Sequence, residues 1–208
     1  MPEVSTFTGR AALTAALAAA GLTVHLTVQR LAPPPIWRAG EPLVGVLPFL
    51  PWTVWIYLLF FPLLVVTGVL VPAGRWRRLA LAWSLASVAS WLLVLLVPVT
   101  FARPDLSRVD PLHAWVLGRV YGLDAAHVTF PCLHSAVTWI CWHALRDRGP
   151  KLRAGVFALA VAITLSTMTT RQHLATDNAA GLIIAWASAR TALSVRGAAT
   201  ARTGRDSP

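Results

Sequence analysis

The sequence predicts an all-α integral membrane protein: a bundle of six transmembrane helices with an interfacial helix in the loop between spans three and four. Three observations predict it. The 208 residues are 56% hydrophobic and only 12% charged, against about 25% charged in a soluble domain. The mean hydropathy is +0.63, and the apolar residues fall in runs approaching the roughly 20 that cross a bilayer. Arginines punctuate those runs rather than interrupting them, and the length suits one compact bundle rather than several domains.

The elements follow in order. Residues 1–10 form a short cytoplasmic segment with no cleavable-signal pattern, since Glu3 precedes Arg10 and no small-residue site follows the apolar run. The membrane domain takes residues 11–193. Residues 11–28, rich in alanine, are the first span. Pro33, Pro34 and Pro35 stop that helix, and residues 36–51 read as a re-entrant or interfacial stretch. Residues 52–71 are the second span, with Trp52, Trp55 and Tyr57 as an aromatic belt at one end. Residues 79–97 are the third. Residues 101–129 are polar enough for a loop, within which residues 111–121 have the pattern of a short amphipathic helix lying on the interface. Residues 132–145, 156–169 and 173–193 are spans four, five and six. Residues 194–208, mostly Gly, Ala, Thr and Arg, read as a disordered cytoplasmic tail.

The net charge of +10 comes almost wholly from arginine, Lys151 being the only lysine. On a soluble chain such a charge points to nucleic acid; here its placement reports topology, and no nucleic-acid partner is expected. Arg10 precedes span one. Arg75, Arg77 and Arg78 separate spans two and three. Arg146, Arg148, Lys151 and Arg153 separate four and five, and Arg190, Arg196, Arg202 and Arg205 follow six. The positive-inside rule puts all of these in the cytoplasm. Loops three-to-four and five-to-six then face the extracytoplasmic side of a plasma or bacterial inner membrane. The alanine- and arginine-rich, lysine-poor usage suggests a bacterial source. Cys132 and Cys141, nine apart on or near one helix, predict neither a disulfide nor a zinc site, and no metal or cofactor is expected.

Two stretches at the outer boundary carry the chemistry: Phe130-Pro131-Cys132-Leu133-His134-Ser135 and Arg171-Gln172-His173-Leu174-Ala175-Thr176-Asp177. Titratable groups at the edge of an apolar bundle are costly enough to need a reason. His173 and Asp177, four apart, share a helix face. A carboxylate on imidazole Nδ1 fixes the tautomer and leaves Nε2 as a nucleophile; alternatively the pair only ties helices together. Pro131 suits the first position of a helix, so the N–H groups of Cys132, Leu133 and His134 would point at an anion beyond its N-terminus. His134 beside that anion is placed to protonate a leaving oxygen, or is an interfacial histidine that meets water. Ser135 reads either as a hydrogen-bond donor to phosphate or as a small residue in a packed helix. His113, His127, Asp105, Arg108, Asp110 and Asp124 read as solvated loop residues, His25 and His143 as lying away from the site, and the tryptophans as interface anchors.

These motifs resemble the type 2 phosphatidic acid phosphatase superfamily of lipid phosphatases and phosphotransferases. Its second signature, Pro-Ser-x-His, reads here Pro131-Cys132-Leu133-His134. Its third sets Ser-Arg ahead of a histidine that an aspartate follows after three residues; here Ser166-Thr167 precedes His173 and Asp177, with Gly181 beyond. The pattern is closest to the branch holding inositol phosphorylceramide synthases and many bacterial homologues. The first signature, Lys-x6-Arg-Pro, is half present: Arg103-Pro104 fits, but Leu96 stands at the lysine position. The resemblance implies a six-span fold and metal-independent hydrolysis of a lipid phosphate or diphosphate monoester, held in the bilayer, through a phosphohistidine. It implies that His173 is the nucleophile, Asp177 its orienting group and His134 the acid. It implies phosphate contacts from Arg103, Cys132, Leu133 and Ser135, with Thr167 at the arginine position and Arg171 able to replace a lost cation. Fewer cations leave two alternatives open. One is a phosphotransferase that moves a lipid-linked phosphoryl or phosphoalcohol group to an alcohol such as inositol. The other is a non-catalytic membrane lipid-binding protein. A transporter using the His–Asp pair as a proton relay ranks last, because the polar residues gather near one face.

Overall fold

A computed structural model describes residues 5–39, 46–126 and 129–193. His127, the predicted tail at 194–208 and part of the 36–51 stretch lie outside the described residues. Among the described residues the regular structure is helical apart from a two-residue parallel pairing that the sequence did not announce.

Helix α1 (Phe7–Leu31) starts on Thr6, whose hydroxyl accepts from the Gly9 N–H at 3.0 Å, and stops just before the three prolines. Beyond them, β1 (Trp37–Arg38) pairs in parallel with β2 (Val99–Thr100). Trp37 and Arg38 were expected in a re-entrant or interfacial stretch; the pairing ties them to the segment that follows α4 and leads into the loop before α5. A 3-10 turn (Pro51–Thr53) leads into α2 (Val54–Leu58) and α3 (Phe60–Leu70). The interruption between them has a local cause. Pro62 has no N–H and its ring crowds the carbonyl four residues back, so the helix kinks there. Then follow α4 (Ala73–Leu96), α5 (Pro111–Leu123), α6 (Leu133–Leu145), α7 (Pro150–Thr169) and α8 (Ala175–Leu193). The short helix expected at 111–121 is α5, with Asp110 capping it through the His113 N–H.

The expectation of six spans is met only in part. Among the described residues, four stretches are long and apolar enough to cross a membrane: Phe7–Leu31, Pro51–Leu70, Ala73–Leu96 and Pro150–Thr169. Helix α6 has 13 residues, about 20 Å of helix against a hydrocarbon core of about 30 Å. Helix α8 has 19 but carries Asp177, Asn178 and Arg190. Helix α6 is enclosed, packed against α3, α4, α7 and α8, whereas α8 packs on α4 and α6 with one face and leaves Leu182, Ile183 and Trp186 exposed on the other. A helix shielded by its neighbours does not need an apolar surface all round.

Contacts at the two ends fix the relative directions of the helices. At one end Arg10 donates to the Val69 carbonyl at 3.2 Å and Arg75 lies 3.7 Å from Asp147. At the other, Gln29 donates to the Leu123 carbonyl at 2.9 Å and the hydroxyls of Thr53 and Thr169 meet at 2.7 Å. The core between is built on Leu79, Ile140, Leu145 and Ile163 with Trp76 and Trp83, while Phe61, Val66, Leu81, Leu92 and Ile183 lie exposed on the outside. At two places helices come too close for a side chain. A Cβ on Gly68 would stand 2.0 Å from Thr14 Oγ1, and one on Gly181 would stand 2.4 Å from the Cys132 carbonyl.

Candidate active site

The turn after α7 places His173. Arg171 adopts φ 54°, a left-handed ending of the kind that closes many helices but costs a non-glycine residue about 1 kcal/mol. That turn brings the N–H groups of both Gln172 and His173 onto the Thr167 carbonyl, at 2.9 and 3.0 Å. His173 is 4% exposed. Its Nδ1 lies 2.7 Å from the Thr129 carbonyl and 3.8 Å from Asp177 Oδ2. The Thr129 backbone carbonyl thus holds Nδ1, and the Asp177 carboxylate, expected to orient this histidine, lies behind it. Asp177 Oδ2 instead accepts from the Leu174 N–H at 2.8 Å, which is the carboxylate half of a capping box at the start of α8.

Nε2 of His173 forms no hydrogen bond among the described residues. It faces Asp124 Oδ2 at 4.0 Å. Asp124, expected to be a solvated loop residue, is 5% exposed. His25, expected to lie away from the site, approaches Asp124 Oδ1 at 3.4 Å. Both corrections have one cause: the C-terminal end of α5 meets the C-terminal part of α1 through Gln29, and its C-cap residue Asp124 turns inward. Burial pushes the Asp124 carboxyl up, but the His25 hydrogen bond and the nearby His173 outweigh it and bring it down to about 2.

His134, half-buried in the first turn of α6, completes the pair. Its Nε2 meets the Tyr57 hydroxyl at 2.8 Å, and its ring packs on Tyr57 and Phe60 at 4.6 and 4.7 Å between centroids. The His134 and His173 rings lie 5.7 Å apart. Pro131, expected at the first helical position, precedes the cap residue Cys132, whose sulfur accepts from the Ser135 N–H at 3.3 Å. The Cys132 N–H, expected to point at an anion, donates to the Asp177 carbonyl oxygen at 2.9 Å. One donor atom from each of Cys132, His134 and His173 falls within 4.8 Å of the others.

The remaining predicted residues are placed differently. Ser135 is buried, and its hydroxyl donates to Asn178 Oδ1. The Thr167 hydroxyl is engaged by the Thr164 carbonyl at 2.8 Å and Asn178 Oδ1 at 3.1 Å. Arg103 lies 4.4 Å over the Tyr121 ring and donates to the Tyr121 carbonyl at 3.0 Å and Gln172 Oε1 at 3.2 Å, bracing the turn that carries His173. Arg171 is half-buried on that turn. Leu96, at the position of the missing lysine, is 71% exposed at the end of α4.

An apolar groove of about 330 Å³ runs between α1, α3 and α4, with Gly21, Val24, Phe61, Leu64, Trp83 and Val88 among its walls. His25, Asp124, Leu133, His134 and His173 line the same space. A cavity of about 350 Å³ at the opposite end, lined by Arg75, Arg78, Arg146 and Arg190, contains neither His134 nor His173. Tyr57, Thr129, Asp124 and His25 are the residues that sequence reasoning missed. Only Tyr57 gave a signal, as a polar tip inside an apolar run; the others depend on long-range folding. No family model matches this chain, and no curated protein or solved structure matches it.

Proposed function

We propose that this chain is a membrane lipid phosphatase acting on a lipid phosphate or diphosphate monoester through a phosphohistidine. The observation that carries the reading is two facing imidazoles, each held at one nitrogen, at the polar end of an apolar groove. The Thr129 carbonyl on Nδ1 keeps the proton there and leaves the Nε2 lone pair of His173 for attack on phosphorus. As that bond forms, the ester oxygen leaves with its electron pair and takes a proton from His134. Water then attacks the phosphohistidine while His134 recovers the proton, releasing phosphate and restoring His173. The lipid chain lies in the groove throughout. In this reading α6 and α8 cross with the four longer helices, giving six passes, and α6 starts below the outer boundary because it is short. The arginines of the opposite end, Arg10, Arg75 and Arg146, face the cytoplasm, and the site faces outward.

A specific observation favours the phosphotransferase alternative. Asp124 adds a negative charge 4.0 Å from the nucleophilic nitrogen, while Leu96 and Thr167 replace two signature cations. A monoanionic phosphodiester suits that field better than a dianion, and an alcohol would then replace water in the second step.

The test is phosphate release by detergent-purified protein from a panel of lipid phosphates and diphosphates in EDTA, with and without an alcohol acceptor. The expected result is release that His173→Ala abolishes while the variant still inserts and folds. Release unchanged in His173→Ala would overturn the mechanism, and product formed only with the acceptor would make the protein a transferase.

A further inference from the structure

Four side chains in this site have the chemistry of zinc ligands. Cys132 is fully buried, and its sulfur, one nitrogen of His134 and one of His173 lie within 4.8 Å of one another. His173 Nε2 and Asp124 Oδ2 are both buried, both without a hydrogen bond among the described residues, and 4.0 Å apart. Two unpartnered polar atoms in one buried space are costly unless something bridges them. A proton shared between them does not fit 4.0 Å; a cation between them does.

The surrounding bonds are those that metal ligands need. The Thr129 carbonyl takes Nδ1 of His173 and the Tyr57 hydroxyl takes Nε2 of His134. Each imidazole is thereby oriented through one nitrogen with the other left for a metal. The Ser135 N–H on the Cys132 sulfur favours a thiolate. One sulfur, two imidazoles and one carboxylate form a borderline-soft tetrahedral set that suits zinc above magnesium or calcium. Tetrahedral zinc holds its donors roughly 3.5 Å apart, so the donors of Cys132, His134 and His173 need a movement of about 1 Å, and Asp124 turns in from beside His173 to complete the set.

We infer that Cys132, His134, His173 and Asp124 bind a zinc-like divalent cation. The metal occupies the nitrogen lone pair that would attack phosphorus, and so holds the enzyme inactive until it is withdrawn. The binding half stands on these side chains alone; the inhibitory half rests on the function proposed above.

The probe is Co²⁺ added to EDTA-stripped, desalted full-length protein in detergent. One equivalent is expected to give the visible bands of tetrahedral cobalt and a near-ultraviolet sulfur-to-cobalt band, all displaced by Zn²⁺. The sulfur band should vanish in Cys132→Ser and persist in Cys141→Ser, whose sulfur is buried elsewhere on α6. Asp124→Asn should weaken binding at least tenfold with the sulfur band intact. Size-exclusion profiles identify any variant that fails to fold. No cobalt spectrum, or a sulfur band unchanged in Cys132→Ser, would overturn the site. Zn²⁺ should suppress phosphate release and EDTA restore it, and folded Cys132→Ser should lose that zinc sensitivity whatever its own rate. Cobalt bound through Cys132 with no phosphate released from any lipid would keep the metal site and sink the phosphatase. Release indifferent to zinc, with no cobalt spectrum, would do the reverse.

Discussion

Asp124 Oδ2 stands 4.0 Å from His173 Nε2, and the two residues are 49 positions apart in the chain. This pairing sets the field at the nitrogen that the proposed mechanism uses as nucleophile. Asp124 also holds the C-terminal part of α1 through His25. Its carboxyl lies at about 2 in the folded protein against an ordinary value near 3.9, a difference of about 2 kcal/mol. The folded value is the lower one, so this stabilisation is present above about pH 4 and is lost as pH falls toward 2. Asp124→Asn should therefore lower thermal stability at neutral pH and flatten the loss of stability between pH 4 and pH 2. A melting profile by intrinsic fluorescence across that range checks both. A variant that falls as steeply in acid as the parent would remove Asp124 from the account.

The Tyr57 hydroxyl is the only group seen bonding His134 at Nε2 among the described residues. Tyr57→Phe keeps the ring that packs on His134 and removes only that bond. A neutral hydrogen bond is worth about 1 kcal/mol, so phosphate release should fall roughly five- to tenfold with melting temperature nearly unchanged. A normal rate would mean that His134 is not the acid, or needs no orientation.

Gly181 permits the closest approach in the bundle's centre. A Cβ there would meet the Cys132 carbonyl at 2.4 Å and Ser135 Cβ at 3.3 Å, both part of the N-terminal turn that presents His134. Gly181→Ala must push α6 from α8, at about 1–3 kcal/mol of overpacking. The expected outcome is a fall in both melting temperature and activity. Gly74→Ala, where nothing lies within 4 Å of the added carbon, should change neither.

The legible parts of the sequence were those set by composition and short spacing. The apolar runs gave the long helices, and the amphipathic pattern from Pro111 to Tyr121 gave α5. The i, i+4 spacing of His173 and Asp177 brought them within 3.8 Å. Length and hydropathy single out four of the six expected spans among the described residues: α6 is short and enclosed, and α8 carries Asp177, Asn178 and Arg190. Asp124 misled because a loop aspartate seven residues after Leu117 looks solvated until α5 is folded onto α1. Thr129 was invisible for a different reason: its contribution is a backbone carbonyl, which any residue supplies.

The groove makes a prediction about substrate. Gly21 faces it with open space around its Cα. Gly21→Trp would fill part of the roughly 330 Å³ without touching His134 or His173. Activity on long-chain lipid phosphates should drop at least tenfold through KM, while a short, soluble phosphate ester should be turned over as before. Equal loss on both substrates would mean that the chain enters elsewhere.

Asp177 separates two roles that a single alanine substitution would confuse. Its carboxylate caps α8 through the Leu174 N–H at 2.8 Å and lies 3.8 Å from His173 Nδ1, which the Thr129 carbonyl already occupies. If capping is its main task, Asp177→Asn retains an oxygen for the Leu174 N–H and should stay close to the parent in melting temperature. Asp177→Ala should lose about 1 kcal/mol. If it also supports the imidazolium, both variants should slow phosphate release, because the carbonyl fixes the tautomer but carries no charge. A carboxylate bonded directly to the catalytic histidine is worth about 10⁴ in rate; with a carbonyl interposed, the fall in Asp177→Asn should be nearer ten- to a hundredfold. Parallel melting curves and single-turnover phosphate release resolve the two. A 10⁴-fold loss in Asp177→Asn at unchanged stability would show that the carboxylate, and not the Thr129 carbonyl, holds Nδ1 during the reaction.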